Sequence, residues 1–226
     1  MEGTPSNRDG IGARVKLTLL ARLAFDGWLD VTRLRREVPV IGGDPAPGIT
    51  AMSRSHMGAA ARLGLSLKLV ARAERSAEGR VSAAVTPMAV SNTSPLGSTH
   101  GVTNIVAFDA EPVGRVTMSG PGAGGPSTAS AVLADVLVFA NSNASTWEQL
   151  PPAPAVDVED DLAGERGWFV TLEGLGPAAF PDTLRDMTLA STDEGLVTRP
   201  ISINQLSSRL GLPVRACTAY PILPDT

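Results

Sequence analysis

Gly120-Pro-Gly-Ala-Gly-Gly-Pro-Ser-Thr-Ala-Ser130, running on into Ala-Val-Leu-Ala-Asp-Val-Leu-Val-Phe-Ala140, is the stretch whose reading decides the fold. A strand-like run, Val113 to Met118, leads into it. Beyond it Ala129, Val132, Leu133, Val136, Leu137 and Ala140 recur at three- and four-residue steps. That period predicts a helix with one buried apolar face. Pro126 suits the first helical turn, where its missing N–H has no intrahelical partner. The glycines allow close backbone approach, and the free N–H groups of a helix start favour an anion. A tight strand-to-helix turn without any ligand explains the same residues equally well. The loop is neither a GxGxxG fingerprint nor a Walker loop, since no lysine follows the glycines.

Composition narrows the class. The chain has 226 residues, 43% of them hydrophobic, enough for a substantial core in one domain with an appendage. Gly 23, Pro 18 and only 4% aromatics describe a loop-rich protein whose core is built from Ala, Val and Leu. A net charge of -4 argues against a nucleic-acid partner. Arg33, Arg35 and Arg36 do cluster, but Asp30 and Glu37 bracket them, which fits a solvated helix face. One cysteine, Cys217, excludes an internal disulfide and, with only His56 and His100 beside it, argues against a metal site. The N-terminus has no signal-peptide pattern and no apolar run approaches membrane-spanning length, so a cytoplasmic protein without a membrane partner is expected.

Along the chain, residues 1–9 read as a loose N-terminus. Ala13 to Phe25 reads as a helix with Leu17, Leu20, Ala21 and Ala24 on one face and Arg14, Thr18 and Arg22 opposite. Lys16 falls on the apolar side, where a lysine must snorkel or find a buried partner. Trp28 to Glu37 suggests a short second helix, and Val38 to Gly48 a surface loop. Ser53 to Leu63 is helical, stopped by Gly64, with His56 on its surface or partly buried. Leu65 to Arg72 and Val81 to Val85 alternate as strands, with Pro87 ending the ladder. Val102 to Phe108 and Val113 to Met118 form a further hairpin. The expected class is α+β: a mixed, largely antiparallel sheet covered by helices. The Ser-, Asn- and Pro-rich stretch and the acidic run Asp157 to Asp161 make 142–166 a linker, and 167–226 a small, poorly defined C-terminal region. Within that region Trp168 to Leu172 reads as a strand, and Phe180 to Met187 and Ile201 to Leu210 as short helices.

Three segments taken together resemble homoserine dehydrogenase, specifically its substrate-binding and dimerising catalytic domain. They are Gly10-Ile-Gly-Ala-Arg-Val-Lys16 on to Phe25; the set Gly48-Ile-Thr, Leu67-Lys-Leu-Val70, Ser94-Pro-Leu-Gly97 and Gly101-Val-Thr-Asn-Ile-Val106; and the glycine loop with its helix. The resemblance covers residues 10–141 in unbroken order. It implies NAD- or NADP-dependent interconversion of homoserine and aspartate 4-semialdehyde, an oxidoreductase step of threonine and methionine biosynthesis. It also implies a catalytic Lys16 that exchanges a proton with the substrate, and a homodimer formed through the sheet domain. By the same resemblance Gly120, Gly122, Gly124 and Gly125 lie near the dinucleotide, supported by Thr128 and Ser130. Gly12 stands where the family has a substrate-binding aspartate, one turn before the lysine, leaving Asp9 as the candidate substitute. No strand–GxGxxG–helix unit is present in the chain, so the nucleotide-binding domain is expected to come from a separate chain. The alternative is an inactive truncated relative that serves as a dimerisation or interaction protein. Trp168-Phe-Val-Thr-Leu172 followed by Gly176-Pro177 resembles the start of the family's regulatory ACT domain, making 167–226 a candidate degenerate remnant.

Overall fold

The computed structural model describes residues 10–141, 148, 150–172, 182–210 and 217–224. Helix α1 (Ile11–Phe25) leads to short strands β1 (Trp28–Leu29), β2 (Glu37–Val38), β3 (Val40–Ile41) and β4 (Ala46–Pro47). Helix α2 (Arg54–Arg62) is followed by a long hairpin, β5 (Leu65–Arg75) and β6 (Val81–Ser91), and a second hairpin, β7 (Thr103–Ala110) and β8 (Gly114–Pro121). Helix α3 (Gly125–Asn141) comes next, then β9 (Ala155–Val156), β10 (Val158–Asp160) and β11 (Trp168–Leu172). The chain ends through β12 (Thr188–Ser191), β13 (Gly195–Thr198), α4 (Ile203–Leu210) and β14 (Cys217–Pro221). The pairing is largely antiparallel, as expected, but it is divided among separate sheets.

Residues 1–97 and 153–226 form the larger of two compact units. There β5 and β6 pair in continuous register from Leu65↔Ser91 to Arg75↔Val81. Helix α1 lays Leu17 and Ala21 against Leu29, Leu34, Val81 and Val85. Helix α2 starts at Ser53, whose hydroxyl accepts from the His56 N–H at 3.1 Å, and the chain turns away at Gly64 with φ 73°. Its Ala59 and Ala60 pack with Val38, Leu67, Ala89, Phe169 and Tyr220. Pro87 does not end the ladder: it pairs opposite Leu69 within β6. Val85 N–H donates to Arg35 O, away from β5, and the period of two points the Pro87 nitrogen the same way. No described strand claims an N–H there, so proline costs nothing.

Several expectations change in this unit. The face of α1 carrying Arg14, Thr18 and Arg22 is packed rather than solvated, whereas Leu20 and Ala24 are exposed. Arg14 donates to the carbonyls of Val31 (3.0 Å) and Leu34 (3.4 Å), and Arg22 lies over the Trp28 ring and pairs with Asp26. Guanidinium groups thus serve backbone oxygens and a ring that a strand-and-turn segment brings alongside. That segment, 28–37, is not a helix, and the loop 38–48 contributes buried Val38 and Ile41 with strand β3.

The acidic run is not a linker. β9 pairs with β1 and β10 with β6, both parallel, and the carboxylates meet the arginines read earlier as a solvated face. Arg33 pairs with Asp157 at 2.7 Å, and Arg35 donates from Nε to both oxygens of Asp160 at 2.9 Å. Asp161, almost fully buried, is held between Arg72 and Arg166. Burial lowers the pKa of the Arg166 guanidinium, and the Asp161 charge opposes that shift.

The C-terminal stretch also belongs to this unit. β11 is the central strand of a five-stranded sheet ordered β12-β13-β11-β14-β3. Trp168 is fully buried, its indole donating to Ile201 O at 2.8 Å. Of the two helices expected here, Asp182–Met187 is a 3-10 turn and α4 is helical, with Ser202 and Gln205 capping its start reciprocally. Gly176-Pro177 of the ACT-like segment lies outside the described residues.

Residues 98–152 form the second unit: the β7–β8 hairpin, in register from Thr103↔Pro121 to Ala110↔Gly114, and α3. Its helix starts at Gly125 with Pro126 in the first turn, as expected. The apolar face of α3 is not buried, contrary to expectation. Val132, Leu133, Val136 and Leu137 are each more than half exposed, and no described residue of this unit buries them.

Candidate functional site

Lys16 stands on α1, whose N-cap is Gly10 in the left-handed region (φ 73°) with its carbonyl accepting from Arg14 N–H at 3.0 Å. A Cβ at Gly10 would already touch Val85, so this helix start sits against β6. Lys16 is exposed, and among the described residues no buried partner holds it. The residues around it on the helix are apolar and also exposed: Val15, Leu19, Leu20 and Leu23. Gly12 lies one turn earlier on the same side. The apolar side of α1 read from sequence is split: Leu17 and Ala21 face the core, while Leu20 and Ala24 face outward. Asp9 lies outside the described residues.

The glycine loop belongs to the second unit. Gly120 faces Asn104 in the hairpin register, and Gly122 N–H donates to Val102 O at 2.7 Å. Sequence reasoning missed Asn104: its side chain fills the place a Gly122 Cβ would take, so this glycine answers to its own hairpin. Around Gly120 and Gly125 an added Cβ would meet nothing within 4 Å. Gly124, at φ 123°, makes the turn into α3 in backbone space that other residues avoid. Its carbonyl accepts from the hydroxyls of Ser127 (2.9 Å) and Thr128 (3.0 Å) and from Thr128 N–H (3.1 Å). Thr128 therefore secures the start of α3. The structure brings these loop residues together in one unit; Lys16 lies in the other.

His56 is buried, not superficial, and shares a 2.8 Å hydrogen bond through Nδ1 with the Tyr220 hydroxyl in the core of the larger unit. Among the described residues, no group of His, Cys, Asp and Glu side chains is placed to hold a metal ion. Cys217 is buried in β14, and burial pushes its thiol up to about 11 from an ordinary value of 9.0. The thiol should stay unreactive to a disulfide reagent at pH 8 until the fold is opened with denaturant. Since the folded value exceeds the unfolded one, this group favours folding below pH 9 and loses that contribution as pH rises towards 11. Rapid labelling of native protein at pH 8 would contradict this.

The family model for homoserine dehydrogenase matches residues 6–137. The NAD(+)-dependent homoserine dehydrogenase of Pseudomonas canavaninivorans is 37% identical over 129 residues, covering 57% of this chain and 34% of that protein. The homoserine dehydrogenase of Synechocystis is 37% identical over 162 residues, covering 69% of this chain and 34% of that protein. Among solved structures, a homoserine dehydrogenase from Thiobacillus denitrificans superposes with TM-score 0.74 at 20% identity, over 98% of this chain and 55% of its own. That of S. aureus superposes with TM-score 0.71 at 20% identity, over the full chain and 56% of its own. The chain thus spans about a third of the length of these curated relatives and just over half of the solved structures, whose likeness establishes the fold.

Proposed function

This chain belongs to the homoserine dehydrogenase family, and on that premise we propose that it forms the substrate-side half of an enzyme interconverting homoserine and aspartate 4-semialdehyde. The observation that carries the reading is the setting of Lys16, an exposed amine ringed by exposed Val15, Leu19, Leu20 and Leu23. Such a surface is suited to being covered, and taking water away from an amine favours its neutral, proton-accepting form. A nucleotide-binding portion laid over α1 would do both. In the proposed reaction Lys16 Nζ exchanges the proton on the substrate's hydroxyl oxygen.

A nicotinamide dinucleotide, NAD or NADP, supplies hydride exchange when bound. The open backbone at Gly120 and Gly125 fits the approach of such a group, while Gly122 is occupied by Asn104. Gly12 offers no carboxylate for the substrate's amino group, so turnover in this chain should be slower than with an aspartate there. The exposed α3 face supports a homodimer as the partner of the second unit.

The test is homoserine-dependent reduction of NAD(P) by the chain alone and mixed with the isolated nucleotide-binding domain of an intact family member. Activity is expected in the mixture; Lys16→Ala should lower it at least about 100-fold with unchanged circular dichroism, and Gly12→Asp should raise it. Absence of any rate above background in the mixture sinks the reading. The second reading, an inactive interaction protein, rests on Gly12, and a stable dimer with no turnover would favour it.

A further inference from the structure

We propose that residues 154–160 are an ionic strap, held on the larger unit by exposed arginine–carboxylate pairs and released by salt while the rest of that unit stays folded. The strap has a built seat. Pro154 O accepts the Trp28 N–H at 2.9 Å, β9 runs parallel to β1, and β10 runs parallel to β6 from Val81 to Ala83. Val156 occupies the place a Cβ at Gly27 would take, so the absent side chain makes the notch that receives it. Val156 and Val158 reach the cluster of Leu29, Leu34 and Val81 but are only partly buried.

What remains is charge. Asp157, Glu159 and Asp160 each meet an arginine of the underlying segments: Arg33 at 2.7 Å, Arg80 at 2.9 Å and Arg35 at 2.9 Å. All of these side chains are substantially exposed, so each pair is weak alone and open to screening. The next residues differ. Asp161 is buried between Arg72 and Arg166 and receives the Ser82 hydroxyl, and Leu162 is buried beside it. Salt reaches the exposed pairs and not the buried one. Release therefore runs from Pro154 to Asp160 and stops at Asp161. Peeling uncovers the Val81–Ala83 edge of β6 and a row of arginines, Arg33, Arg35 and Arg80.

Hydrogen exchange on the full chain tests this. Between low salt and about 1 M NaCl, where the screening length is about 3 Å, the Trp28 amide and those of 155–160 should exchange about 10-fold faster. The amides of 168–171, inside the five-stranded sheet, should not change. The variant Arg33→Gln/Arg35→Gln should show the fast exchange already at low salt; Glu159→Gln, at an exposed site, is the milder variant should the first not fold. Salt-independent exchange of 155–160, or an equal rise in 168–171, overturns the proposal.

Discussion

A chain ended after residue 152 should fail to fold its first 97 residues, giving no cooperative thermal transition where the intact chain gives one. The reason lies in who fills the core. Phe169 and Tyr220 are fully buried among Val38, Ala59, Ala60, Leu67 and Ala89, stacked with ring centroids 5.9 Å apart. Removing either aromatic from a packed core costs about 3–5 kcal/mol, against a total of about 5–15 kcal/mol for a typical domain. The truncation removes both, along with β14, the partner of β3, and leaves buried His56 without its Tyr220 hydroxyl. It also strips Asp161 from Arg72. Far-UV circular dichroism against temperature checks this; a sharp transition in the shortened chain would mean that 153–226 is an appendage.

That result bears on what was legible. The helices and long strands were, because each is decided by side chains three, four or two residues apart: the 11–25, 54–62 and 125–141 helices and the β5–β6 hairpin all emerge from periodicity. Their inward faces were less so. Arg22 is buried because Trp28 folds back beneath it, which no helical wheel contains. The strap was invisible for a sharper reason. Arg33 and Asp157 are 124 residues apart, and Asp160 lies 125 from Arg35, so each group looked like a solvated charge in its own neighbourhood. The site divided the same way. Lys16 came from a motif and its apolar surroundings from spacing, but their outward orientation depends on contacts made by the other side of α1. Asn104 against Gly122 is a contact across a hairpin, and only the register reveals it.

The exposed face of α3 leads to the second large effect: Leu133→Glu with Leu137→Glu should convert a dimer of the intact chain into a monomer without loss of helix. The second unit exposes Val132, Leu133, Val136 and Leu137 on one side of α3. Leaving that surface in water is costly, since burying each such side chain contributes about 1.5–3 kcal/mol. A second copy of the chain offers the same face, so the self-complementary arrangement of a two-fold dimer satisfies both at once. Glutamate at 133 and 137 sets four carboxylates across that contact. The expected loss of at least about 4 kcal/mol weakens the dissociation constant about a thousandfold. Glutamate is a good helix former and both sites are exposed in the single chain, so the variant keeps its circular dichroism. Sedimentation equilibrium reads the difference directly. An intact chain that is monomeric at every concentration would refute the dimer, and a double variant that still dimerises would place the interface on another face.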